Sequence, residues 1–150
     1  MVSINIICVG KLKEKYLKDA IDEYSKRLSK YCNLNIIEIS DEKLPEKISD
    51  KLIDETKNKE GNKILQNIKK DSYTIALDLK GKQYTSEEFS EKIENIKING
   101  FSNINFIIGG TLGISKDVLN NSKVKKIIYV SCDPMTLVRD IKRMDNYKLI

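Results

Sequence analysis

Five short runs of apolar residues, dense in Ile and Val and separated by stretches of helical periodicity, constrain this chain more than anything else in it. The runs cover residues 4–9, 34–39, 73–79, 103–108 and 125–130. Most are nearly continuous rather than alternating, which is the pattern of strands covered on both faces. Helices are expected between them at residues 14–29, 49–68, 85–98 and 115–121, with a last one beginning at Pro134. This alternation predicts an α/β fold: a mainly parallel sheet with flanking helices.

Local signals agree with that reading. Leu17, Ala20, Ile21, Tyr24 and Leu28 trace one face of the first expected helix. Thr85 and Glu88 have capping-box spacing and start the third. Asp133 and Pro134 supply an N-cap and a first helical position for the last. With 150 residues the chain can bury one core, so residues 1–150 are expected to form a single domain. No repeat, low-complexity tract or linker interrupts it. The charged, proline-containing stretch 40–49 is the best candidate for a mobile surface loop.

Composition excludes more than it selects. There is no His, which removes Ser-His-Asp and Cys-His nucleophile pairs and any His-containing zinc site. Acid–base work must fall to carboxylates, Lys, Cys, Tyr or the substrate. No metal is expected. No apolar run approaches the roughly 20 residues of a membrane span, and the opening residues read as a first strand rather than a signal peptide. Cys8, Cys32 and Cys132 are scattered and odd in number, as expected for reduced thiols in a cytoplasmic protein. The net charge is +5. Residues 11–31 and 123–150 both carry more Lys and Arg than Asp and Glu, so the two basic segments favour a nucleic-acid partner.

In parallel sheets, ligands collect where loops leave the carboxyl ends of strands. Three loops qualify here: residues 77–82, residues 109–113 and residues 131–134. The second holds Gly109, Gly110 and Gly113, which let backbone approach a ligand closely. Ser115 then opens a helix whose N-terminus favours negative charge. The spacing fits neither a dinucleotide fingerprint nor a P-loop.

Several ordered segments are specific enough to suggest a family. They are Val9-Gly10-Lys11-Leu12-Lys13, the stretch from Ala20 to Leu28, Leu77-Asp78-Leu79-Lys80-Gly81-Lys82, Phe106-Ile107-Ile108-Gly109-Gly110, and Gly113 to Leu119. In this order they resemble the ribosomal large subunit pseudouridine N3-methyltransferases, small enzymes of the SPOUT class. The resemblance covers residues 1 to about 122. It implies a trefoil-knotted α/β homodimer that uses S-adenosylmethionine to methylate a pseudouridine of 23S rRNA in the assembled ribosome. It also implies cofactor contacts at Leu77 and Gly109, a surrounding loop at Gly110 and Gly113, and a third cofactor loop at Ser131.

Residues from about 123 to 150 follow another pattern. Family members continue with a Ser-Lys-Met-Thr-Phe-Pro-His type loop, whereas this chain has Tyr129-Val130-Ser131-Cys132-Asp133-Pro134-Met135-Thr136-Leu137-Val138-Arg139-Asp140. That stretch resembles a motif of the 5-methyluridine RNA methyltransferases, in which Cys132 would match the nucleophile. That family pairs the motif with a separate Rossmann-type cofactor domain and a downstream catalytic Glu, neither of which is expected among these 150 residues, so the thiol reads as an ordinary Cys. Arg139 keeps the SPOUT family's spacing from the proline and is the candidate to meet substrate phosphate or developing charge on the base. Two further readings stay open: a basic dimer that binds RNA or cofactor without catalysis, and a 5-methyluridine-type methyltransferase.

Overall fold

A computed structural model describes residues 1–128 and shows the expected alternation. The order is β1 (Val2–Val9), α1 (Lys15–Leu28), β2 (Cys32–Ile39), α2 (Asp50–Gln66), β3 (Tyr73–Lys82), α3 (Ser86–Ile98), β4 (Asn103–Ile108), α4 (Lys116–Leu119) and β5 (Val124–Ile128). Every described pairing between these strands is parallel, and the strand order is β2-β1-β4-β3-β5. Ser131, Cys132, Arg139, the helix expected from Pro134 and any threading of the chain end into a knot lie outside the described residues.

β3 and β4 are apolar on both faces because both are covered, whereas beside them Ile6 and Cys8 of β1 are half-buried and Ile36 of β2 is exposed. On one face Ile7, Ile39, Ala76 and Ile107 pack with Ile64 and Ile68 at the end of α2, and with Ile114 and Val118 around α4. On the other face Ile75, Ile104 and Ile128 pack with Ile96 of α3, joined by Phe89, Phe101 and Phe106. Tyr73 and Phe101 meet edge to face, with ring centroids 5.4 Å apart.

One row of the first face is polar. Asn35, Asn5, Asn105 and Thr74 stand side by side on β2, β1, β4 and β3. Asn35 Nδ2 donates to Asn5 Oδ1 (3.1 Å), and Asn5 Nδ2 donates to Asn105 Oδ1 (2.9 Å). Asn105 Nδ2 then donates to Ser72 Oγ (2.8 Å) and Thr74 Oγ1 (3.1 Å). Asn5, Asn105, Ser72 and Thr74 are all buried, and the ladder supplies the partners that burial demands.

Caps set the helix ends. Thr85 and Glu88 form the reciprocal capping box, with Glu88 N donating to Thr85 Oγ1 (3.1 Å) and Thr85 N to Glu88 Oε2 (2.9 Å). Ser49 caps α2 through Leu52 N. Three features differ from the sequence reading. The expected loop at 77–82 is largely strand, because β3 runs on past an irregularity so that Lys82 pairs with Ile128. The helix after Ser115 is a single turn, too short to concentrate a helix dipole on a ligand. Helix α1 has its apolar stripe but no buried residue: Tyr16, Leu17, Tyr24 and Leu28 are exposed.

Candidate functional site

Strand order creates the site. The chain leaving β3 turns through α3 back to β4, whereas the chain leaving β4 must pass β3 to reach β5. The two exits therefore lie over the same end of the sheet. Between them is a cavity of about 360 Å3, lined by Leu77, Asp78 and Leu79 from β3 and by residues 108–114 from the β4 exit. This is within the range of roughly 300–1,000 Å3 usual for small-molecule sites. Leu77, Gly109, Gly110 and Gly113, expected from the sequence as ligand contacts, all line it.

The loop holds its shape through its glycines. Gly113 has φ +86, a conformation costly for any residue with a Cβ. Its N–H donates to Gly110 O at 2.9 Å, closing a tight turn. A Cβ on Gly109 would lie 2.8 Å from both the Gly113 carbonyl carbon and Ile114 Cγ1, so no side chain fits there. Ser115 ends the turn by accepting from Val118 N (3.3 Å).

Helix α2 braces this loop from below, which the sequence pattern did not reveal. Its buried residues are Thr56, Glu60, Gly61 and Ile64, so a polar carboxylate points inward where periodicity would place an apolar side chain. Gly61 allows the approach: a Cβ there would lie 2.5 Å from Ser115 Oγ and 2.9 Å from Val118 Cγ2. One residue earlier, Glu60 is 5% exposed and lies beneath Gly110, where an added Cβ would be 3.1 Å from its Oε2. Glu60 Oε1 accepts from Glu42 N (3.3 Å), while Oε2 has no hydrogen-bond partner among the described residues. The adjacent sequence pair Glu60-Gly61 was the only available signal, since a glycine inside a helix usually has a packing reason.

The same helix anchors the segment after β2. Lys63 Nζ is 2.9 Å from Glu42 Oε1 and donates to Ser40 O (3.3 Å). That hydrogen bond, then the Lys63 charge, holds the Glu42 carboxyl below its ordinary range. At least the start of the 40–49 stretch is thus tied to α2.

A second cavity of about 590 Å3 shares Ile108 with the first. Its floor includes Ile6, Cys8 and Ile36, and Lys11, Lys18, Ile21 and Asp22 form part of its wall. Burial, and next the charge of Glu38, push the Cys8 thiol upward, away from the thiolate a nucleophile needs. Among the described residues Cys8 and Cys32 form no disulfide. Among the described residues no cluster of His, Cys, Asp and Glu could hold a metal ion, and no helix is long and apolar enough to cross a membrane.

Comparison with known proteins agrees with the geometry. The chain is 60% identical over 124 residues to a protein of Clostridium botulinum (strain Hall) named ribosomal RNA large subunit methyltransferase H, covering 83% of this chain and 78% of that one. It is 53% identical over 143 residues to the Clostridium novyi protein of the same name, covering 95% and 87%. The Clostridium acetobutylicum protein of that name is 56% identical over 124 residues, covering 83% and 78%. A family model described as predicted SPOUT methyltransferase matches residues 2–144, nearly the whole chain. The parallel sheet, the glycine loop over its carboxyl end and these matches together place the chain in the SPOUT methyltransferase family.

Proposed function

We propose that this chain is an S-adenosylmethionine-dependent methyltransferase acting on N3 of a pseudouridine in 23S rRNA within the assembled ribosome. The observation that carries the reading is the convergence of Leu77, Gly109, Gly110 and Gly113 on one cavity at the carboxyl end of the sheet. The names of relatives at 53–60% identity supply the substrate class. The residues present suit the methyl donor. Leu77, Ile108, Leu112 and Ile114 give apolar wall for a nucleoside, the glycines remove side-chain bulk, and Glu60 holds an unsatisfied buried oxygen behind Gly110.

When bound, the donor supplies an electrophilic methyl group on a sulfonium. The chain's own contribution is positioning and exclusion of water. Ile108 belongs to both cavities, so a base in the wider groove would sit beside the donor pocket. Lys11 and Lys18 on that groove suit an RNA backbone. Ser131 would complete the donor site, and Arg139 would meet phosphate or the charge developing on the base as the N3 proton leaves to solvent. The whole chain acts as a single domain whose residues 123–150 form an atypical end. Exposed Tyr16, Leu17, Tyr24 and Leu28 on α1 support a homodimer, and a ribosomal substrate puts the protein in the cytoplasm.

Transfer of labelled methyl from S-adenosylmethionine to ribosomes lacking the modification, followed by mass mapping of the base, tests the proposal. A methyl on N3 of a 23S pseudouridine is expected. Methylation at C5 of a uridine, or none at all, would refute it.

A further inference from the structure

We propose that Glu60 tunes the donor cavity electrostatically, raising its affinity for a cationic sulfonium relative to the neutral thioether left after methyl transfer. The inference rests on the methyl-donor reading and deepens it. Transfer breaks the carbon–sulfur bond, leaves the bonding pair on sulfur and so removes the sulfur's positive charge, while a lone pair on N3 forms the new bond. Donor and product differ in that charge and one methyl group. A fixed negative charge near the sulfur would favour entry of the donor and release of the product.

Glu60 is placed to supply it. The residue is 5% exposed, and no Lys or Arg lies within ion-pair distance of it among the described residues. One oxygen is held by Glu42 N and the other has no partner among the described residues. A buried carboxylate in that state is costly unless something compensates it, and a cation beyond the loop would do so. Gly110 links the two: it lines the cavity, and a Cβ attached to it would be 3.1 Å and 3.5 Å from the two carboxylate oxygens. Gly61, buried against Ser115 and Val118, fixes α2 at the distance that puts Glu60 there. Asp78 also lines the cavity, but it is half-exposed and its Oδ2 already accepts from Lys80 N (3.3 Å), so water screens it more.

The size of the effect follows from the geometry. A carboxylate one glycine backbone behind the cavity wall is on the order of 7 Å from a charge seated against that wall. At effective dielectric constants from about 80 down to about 20, unit charges at that separation change a binding ratio by roughly 3-fold to roughly 50-fold. A change of about tenfold is the working expectation.

Calorimetry on the full chain, with S-adenosylmethionine and S-adenosylhomocysteine as paired ligands, reads the ratio of their dissociation constants. Glu60→Gln keeps the shape and removes the charge, and should shift the ratio toward the neutral product by about tenfold. Glu60→Asp keeps the charge and should keep most of the preference. Should thermal melting show that Glu60→Gln does not fold, Glu60→Met serves as a second neutral variant of similar length. Taking the ratio cancels any loosening of the loop that weakens both ligands alike. Equal loss of both affinities in the neutral variant, with an unchanged ratio, would overturn the proposal and leave Glu60 a brace only. If the unmodified protein binds neither ligand, the methyl-donor reading itself fails, and that outcome is distinct from the other.

Discussion

Gly61→Ala sets two well-measured effects against each other. In an isolated helix the change should stabilise by about 1 kcal/mol, because Ala loses less backbone freedom than Gly. In this molecule the new methyl would sit 2.9 Å from Val118 Cγ2 and 2.5 Å from Ser115 Oγ. Val118 is fully buried and cannot step aside without disturbing the core, an overpacking cost of about 1–3 kcal/mol. Ser115 Oγ can rotate away only by giving up its bond from Val118 N, which as a helix cap is worth about 1 kcal/mol. The net is destabilisation of about 1–3 kcal/mol, or roughly 4–8 °C in Tm at the middle of that range for a domain of this size. Urea unfolding followed by circular dichroism measures it. Coupling supplies the sharper check: with Ser115→Ala already in place the tightest contact is gone, and Gly61→Ala should cost at least about 0.5 kcal/mol less. A Gly61→Ala protein as stable as the parent, or more so, would refute the claim that this glycine exists to let α2 reach the loop.

Three further outcomes are expected. Asn105→Ala removes the centre of the polar ladder and strands the Asn5 amide, so urea denaturation should show a loss of about 2–4 kcal/mol. Gly109→Ala drives a methyl into the Gly113 backbone; calorimetry should show a loss of about tenfold or more in S-adenosylmethionine affinity, while melting shows the fold retained. Glu42 is lowered first by its hydrogen bond from Lys63 and then by that residue's charge, so its folded value lies below its unfolded one. Its stabilising contribution is therefore complete above the ordinary carboxylate range and is lost as pH falls through the lowered value. Carboxyl NMR titration should show Glu42 titrating below the ordinary glutamate range, and Lys63→Met should return it to that range.

Much of the architecture was legible because it rests on local pattern. The apolar runs became β1 to β5, with the described bounds within three residues of those expected, and the Thr85–Glu88 spacing produced the box it implies. The glycines at 109, 110 and 113 were readable as a loop of close approach for the same reason. What stayed hidden depends on contacts between distant segments. Apart from the neighbouring Gly61, nothing local distinguishes Glu60 from the other charged residues of α2; its inward direction follows from the meeting of Gly61 with Ser115, far along the chain. The stripe on α1 shows the converse, since apolar periodicity reports that a helix has a face but not what covers it. The extension of β3 to Lys82 was masked by Lys80 and Gly81, which read as loop; the strand reaches Lys82 across a register irregularity, Leu77 and Lys82 both pairing with Ile128.

The Asn35-Asn5-Asn105-Thr74 row also bears on the order in which the chain assembles. It joins β2, β1, β4 and β3 and does not need β5. The four strands can therefore align with one another independently of β5. Native-state hydrogen exchange should then find one slow cooperative unit in β1 to β4, with the β5 amides opening at lower free energy. Were β5 to exchange in step with the other four, the sheet would be a single unit that waits for its last strand.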